Sequence, residues 1–429
     1  MMKQTMHKGT LQNGIRVMTI PMPRVETVTV YFFVCTGSHH EEKEMSGISH
    51  YLEHLFFKGS EKYKTPIEIS STLDGVGAAF NAFTSEEWTA FYVKLLKDKI
   101  EVALDVMGDF LKHPLFTDSE IEREKAVILE ELNMYYDTPS RRVMDVLQEA
   151  LYGDQPAGRD IGGIPETVKN ITRENVVDYF QKQYRGENII AVFAGNITHE
   201  ASMELANQYF GGVSDGTAAI VKDPVQPPAT HSPIVRIQEK TTDQTHIALG
   251  FPSYAMGDSR RYALRVLLTV LGGGMSSRLF HQVREQRGLC YAIGAGAEMG
   301  SDYGFSYIRS GIAKGKTEEA IEVIVRVMQD MKDEGITEQE LANAKNNIEG
   351  HLYLGLEHTD GVAEFWGMQE VIVGTTQSPG EYIDALKSVS LQDTQEVAND
   401  VFLKGKTHIA LVAAQHSDES LLGSLSQLE

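Results

Sequence analysis

Five residues, His50-Tyr51-Leu52-Glu53-His54, carry the first chemical signal in the chain. His50 and His54 stand four apart, so on a helix they share a face and can turn two imidazole nitrogens toward one metal ion, with Glu53 on nearly the same side. That is the geometry of a zinc site with a built-in base. A catalytic zinc takes three protein ligands and keeps one position open for water, so a second element must supply the third ligand. The helix capped by Thr117-Asp118-Ser119-Glu120 offers Glu120, Glu122, Glu124, Glu130 and Glu131, and of these Glu124 and Glu131, seven apart, lie on one face. A motif of five residues also arises by chance, and a histidine on a helix is often only a half-buried polar group. The surrounding chain decides between the two.

Residues 15–20 and 28–34 alternate and cluster apolar side chains as strands do. An acidic loop, Glu41 to Glu44, leads into the motif helix, which stops at Gly59. Thr65-Pro66-Ile67-Glu68 is a capping box with proline at the first helical position, opening a helix that should end by Gly75. Strands at about 78–83 and 88–95 precede the helix from Thr117, which should reach about Met134. Residues 153–163, with Pro156 and four glycines, are expected to form a surface connection. A helix at 172–184, a buried strand at 188–194 and a helix at 199–210 complete the first half.

Between 211 and 232 the periodicity lapses into Gly211-Gly212, Asp223-Pro224 and Pro227-Pro228, which reads as a linker. The division expected is therefore a first domain over 1–210 and a second over 233–429. The order of elements then repeats: strands near 234–237 and 246–251, a helix at about 260–271, strands at 289–297 and 304–310, and helices at 317–332 and 337–358. Thr337-Glu338-Gln339-Glu340-Leu341 matches Thr117-Asp118-Ser119-Glu120-Ile121, and Lys345 matches Lys125, at one offset of 220. This is a duplication of one α+β unit. Only the first copy carries the chemistry, because Ala344 and His351 stand where the first half has Glu124 and Glu131.

The chain has 429 residues, more than one hydrophobic core normally serves, and its 42% hydrophobic content is that of a folded globular protein. A net charge of −21 excludes general nucleic-acid binding. Two cysteines, Cys35 and Cys290, lie in apolar strand-like runs and exclude a disulfide framework. No apolar run has the length of a signal peptide or a membrane span, so the expected address is the cytoplasm, with no membrane partner.

The motif, together with His54-Leu55-Phe56-Phe57-Lys58-Gly59, Asn81-Ala82-Phe83-Thr84-Ser85 and the run Ile121 to Glu131, resembles the inverzincin peptidases of the pitrilysin, insulysin and mitochondrial processing peptidase group. The likeness covers nearly the whole chain. It implies one Zn2+ per chain held by His50, His54 and Glu131, which lies 77 residues after His54, with Glu124 orienting a ligand histidine. Glu130 is a rival ligand that would leave the face shared with Glu124. Glu53 would be the general base on zinc-bound water, whose pKa zinc lowers toward neutrality. Arg284 and Tyr291, seven apart, match the family's arginine and tyrosine pair, and Asn81-Ala82 matches an edge strand that binds extended peptides through the main chain.

Members of this length build a closed chamber from two chains. The resemblance thus implies a homodimer cleaving oligopeptides or unfolded segments, with Arg284 and Tyr291 reaching the partner's zinc site, and the acidic net charge suggests a preference for basic peptides. Some family members have lost catalysis and serve as structural or presenting subunits. They typically lack part of the metal motif, whereas this chain keeps it whole.

Overall fold

The computed structural model of the chain describes residues 5–226, 234–414, 418–425 and 428. Among them eleven strands form two sheets. The first sheet comprises β1 (His7–Thr10), β2 (Arg16–Pro21), β3 (Thr27–Val34), β4 (Ala79–Thr84), β5 (Thr89–Leu96) and β6 (Ile189–Gly195), in the order β1-β2-β6-β3-β5-β4. The second comprises β7 (Val235–Glu239), β8 (Gln244–Pro252), β9 (Cys290–Met299), β10 (Gly304–Ala313) and β11 (His408–Ala413), in the order β7-β11-β8-β10-β9.

The duplication is visible in the pairing. β2 runs parallel to β6, and every later neighbour in that sheet is antiparallel; β7 runs parallel to β11, and again every later neighbour is antiparallel. β1 is an addition of the first sheet. The α+β class with two homologous, antiparallel-rich halves is the observed fold.

Four helices carry the candidate site and the cover of the sheets: α1 (Ile48–Leu55), α2 (Asp118–Tyr136), α3 (Pro139–Tyr152) and α4 (Thr359–Val373). The chain forms two compact units, and neither is a contiguous stretch. One contains Met1–Leu132, Asp160–Asp223 and Tyr353–Gly380; the other contains Asn133–Arg159, Pro224–Leu352 and Glu381–Glu429. The break at 223–224 falls within the expected linker, whose described residues carry no helix or strand; residues 227–232 of that linker lie outside the described residues.

Packing explains the exchanged segments. β3 and β6 are buried on both faces, which requires a layer on each side. One layer includes α1, through Tyr51, Leu52 and Leu55. The other is α4, whose Val362, Ala363, Trp366 and Gly367 are buried. A Cβ at Gly367 would lie 2.3 Å from the Phe33 ring, so only glycine lets the helix approach this closely. In the other unit α3 lays Val143, Val146 and Leu147 on Ala248, Ala410 and Val412, and a Cβ at Gly250 would lie 2.6 Å from Leu147. Sequence periodicity does not assign α3 or α4, although Thr138-Pro139 and the spacing of Val143, Val146, Leu147 and Ala150 mark the first. Among the described residues no helix is long and apolar enough to cross a membrane.

Candidate metal centre

α1 is a short helix held firmly at its start. Its N-cap, Gly47, has φ 99, and a Cβ there would meet the Gly162 carbonyl oxygen at 2.5 Å. The buried Glu41 carboxylate accepts the backbone N–H of Gly47 at 2.7 Å and of Ser49 at 2.8 Å, satisfying donors that a helix start leaves open. Residues 160–163 pack against the same end: Gly163 has φ +75, and a Cβ there would lie 2.2 Å from the Ser46 carbonyl oxygen. The expectation of a plain surface connection over 153–163 is therefore corrected. Ala157, Gly158, Gly162 and Gly163 are buried, because glycines allow backbone-to-backbone contact behind the motif helix.

The apolar side of α1 buries Ile48, Tyr51, Leu52 and Leu55, leaving His50, Glu53 and His54 on the other. α2 buries Ile121, Glu124, Ile128 and Leu132 at helical spacing, and the Tyr51 hydroxyl donates to the Ile121 carbonyl, tying the two helices together. Glu131, seven after Glu124, thereby reaches the histidines. Its Oε2 stands 3.2 Å from His54 Nε2 and 3.7 Å from His50 Nε2. Glu130 is exposed and belongs to the other side of α2.

One donor atom from each of His50, His54 and Glu131 lies within 4.8 Å of the others, the cluster of metal-ligating type found among the described residues. Tetrahedral zinc with ligands at about 2.0–2.1 Å separates neighbouring donors by roughly 3.3 Å, so the donor set fits such an ion. His54 Nδ1 lies 3.2 Å from Glu124 Oε2, and Lys58 Nζ lies 2.8 Å from Glu124 Oε1. This chain of contacts fixes the ring of His54 with Nε2 toward the cluster.

Electrostatics agree with the geometry. Burial pulls the His54 imidazole down, but hydrogen bonds to Glu124 and Glu131 and the nearby Glu53 charge outweigh it and raise the group to about 9. Burial would raise Glu124, yet His54 and Lys58 hold it below its usual range. Glu53 is pushed up by burial against the opposing effect of Thr84, whose hydroxyl donates to Glu53 Oε2 at 2.6 Å. Three carboxylates converging on two imidazoles are a setting that a cation neutralises.

Thr84 belongs to β4, the edge strand of the first sheet. The hairpin to β5 closes with Ser85 N–H donating to the Trp88 carbonyl at 2.8 Å, so by antiparallel alternation Ala82 and Thr84 point their backbone groups away from β5. Ala82 N–H is instead covered by the Asn81 side chain, at 2.9 Å. Asn81 is exposed, and Ala82 is buried.

Arg284 and Tyr291 lie in the other compact unit and form a pair of their own. Arg284 sits on a π-helical turn, Phe280–Glu285, with its guanidinium 4.9 Å from the Tyr291 ring centre and 4.6 Å from that of Phe280. At the start of β9 a bulge sets Tyr291 and Ala292 opposite Gly311 alone, between the pairs Ser310–Ile293 and Ile312–Cys290. Tyr291 is 76% exposed there.

The N-terminal residues 16–163 match the family described as insulinase (peptidase family M16), and residues 170–348 match the description "peptidase M16 inactive domain". An uncharacterized zinc protease of Bacillus subtilis, YmxG, is 35% identical over 393 residues, covering 92% of this chain and 95% of the relative. The chain belongs to peptidase family M16. An uncharacterized zinc protease of Streptomyces coelicolor is 32% identical, over 92% of this chain and 87% of its own. The fold is shared with a protease from Helicobacter pylori, at a TM-score of 0.89 and 22% identity over 96% of this chain and 100% of that one.

Thr84, Lys58 and Glu41 are not among the site residues that the sequence of this M16 chain leads one to expect. Thr84 and Lys58 stand within the stretches that resemble the family, so their signal was proximity to the motif; Glu41 had only its place in an acidic loop before a helix.

Proposed function

We propose that the protein is a zinc-dependent endopeptidase. The carrying observation is the convergence of His50 Nε2, His54 Nε2 and Glu131 Oε2, with the half-buried carboxylate of Glu53 beside them. These three residues would hold one Zn2+ per chain, which would supply Lewis-acid polarisation of a water and of the scissile carbonyl.

The chain's own groups do the rest. Glu53, lifted by burial and aimed by Thr84, takes the proton of the attacking water and delivers it to the leaving amine. Glu124, clamped by Lys58, keeps His54 in its ligating orientation. The edge of β4 binds the extended peptide at Asn81-Ala82 through the outward main-chain groups of Ala82, once the Asn81 side chain gives up the Ala82 N–H it accepts, a mode that reads backbone before side chains and so suits oligopeptides and unfolded segments. Arg284 and Tyr291 are the donors for the developing oxyanion, supplied in trans by the second protomer of a homodimeric chamber.

The test is Glu53→Gln. It should retain zinc and the fold while hydrolysis of unstructured peptides falls by about 10²-fold or more. Equal rates for the two proteins would overturn the mechanism, and absence of hydrolysis by the wild type would favour a non-catalytic subunit.

A further inference from the structure

The second unit contains a cavity of about 930 Å³ that the proposed chemistry touches only at its rim, through Tyr291. It opens where α3 ends its cover of the sheet. Phe305 and Ala248 pack under α3, whereas further along the same face β8 and β10 present Gln244, His246, Arg309 and Gly311 to the cavity. A face meant for another apolar layer would carry apolar residues at these positions; this one carries polar groups and glycines.

Two features shape the cavity. Its floor is kept bare: a Cβ at Gly311 would crowd the Gln244 side-chain oxygen at 2.6 Å, and Gly294 faces Arg309 across the β9–β10 pair. The β9 bulge opposite Gly311 then turns Tyr291 and Ala292 into the rim.

Its charge runs against that of the molecule. In a chain of net charge −21, Arg141 on the first turn of α3 and Arg309 on β10 both line the cavity and are exposed. The Arg141 guanidinium rests on the Tyr135 ring, that of Arg309 lies 5.9 Å from the Tyr307 ring centre, and among the described residues neither has an ion-pair partner. The lining carboxylate, Asp145, is paired with Arg142 at 3.4 Å. Unpaired guanidinium forks at a glycine-floored hollow that is also lined by the apolar Val143, Met144 and Ile293 match a carboxylate carried on a peptide.

We propose that this cavity is a subsite for a carboxylate of the peptide substrate, bound by Arg141 and Arg309. The proposal rests on the peptidase reading and extends it: it reverses the preference for basic peptides that net charge alone suggests. The carboxylate is either the peptide's C-terminus or an acidic side chain.

The test uses the full-length zinc-loaded Glu53→Gln protein, so that peptides bind without turnover, and three fluorescent peptides sharing one neutral core. One carries added aspartates and an amidated C-terminus, one a free C-terminus, and one neither. Anisotropy should show at least one carboxylate-bearing peptide binding about tenfold tighter than the neutral amide, the better of the two naming the source of the carboxylate. Added Arg141→Gln and Arg309→Gln should abolish that advantage and leave the neutral peptide unchanged, while Arg309→Lys should restore part of it. Equal binding of all three peptides, no binding of any, or an equal loss for the neutral peptide would overturn the subsite. Failure of wild-type hydrolysis with the charge-dependent binding intact would remove the peptidase reading and leave the subsite standing.

Discussion

At the scale of the residue, the candidate site is a small set of donor atoms whose positions each have a cause. Glu124 and Lys58 hold His54, so Glu124→Gln should weaken zinc affinity by about 10- to 100-fold in a chelator competition while the protein stays folded. An unchanged affinity would show that Glu124 has no part in orienting His54. In the same assay Glu131→Gln should lose zinc and Glu130→Gln should keep it, because only Glu131 faces the histidines. The shared side of His50 and His54, and of Glu124 and Glu131, was legible in the sequence because helical spacing converts residue number directly into side of helix, whereas the choice of Glu131 as the third ligand came from the family resemblance. Thr84 was not, since its contact with Glu53 depends on how an edge strand is laid against a helix, which no local pattern encodes.

Elements carry the next set of constraints. The motif helix is pinned by Glu41 and by backbone packing from 160–163, so Gly163→Ala, at φ +75 and against the Ser46 carbonyl, should destabilise the unit by more than about 1 kcal/mol in thermal melts. A neutral result would mean that this contact does not support the helix. A second element shows its linkage to pH. Arg278 binds Glu340 bidentately, at 2.7 and 2.8 Å, at the start of the helix Glu338–Gly355, and holds that carboxyl down from 4.5 to about 2. The folded state thus keeps Glu340 ionised where the unfolded chain takes up a proton. Its contribution is full above about 4.5 and is lost as the pH falls toward 2, so Glu340→Gln should flatten the acid limb of a stability–pH curve. The capping boxes at Thr65 and Thr337 were readable because their donors and acceptors sit three residues apart. The glycine contacts behind α1 were not, because a glycine in a loop announces freedom of φ without saying which backbone it lets approach.

For the whole molecule, duplication was legible as a repeated order of elements, and the matched strand pairing of the two sheets reflects it. The exchange of α3 and α4 was not legible, because an apolar helix stripe does not name the sheet it will cover. Arg284 and Tyr291 belong to the unit that lacks the metal cluster, and the homodimer proposal assigns them to the partner's site. Two inactive variants, Glu53→Gln and Arg284→Ala, should then recover part of the wild-type activity when co-assembled, since one site of each mixed dimer is complete. No recovery in verified mixed dimers would place the pair in the service of its own chain.

The most direct measurement is anomalous scattering at the zinc edge from crystals of the zinc-loaded protein. One peak per chain is expected, about 2.0–2.2 Å from His50 Nε2, His54 Nε2 and a carboxylate oxygen of Glu131. A peak elsewhere, or ligation by Glu130 in place of Glu131, would contradict the zinc site proposed for this chain.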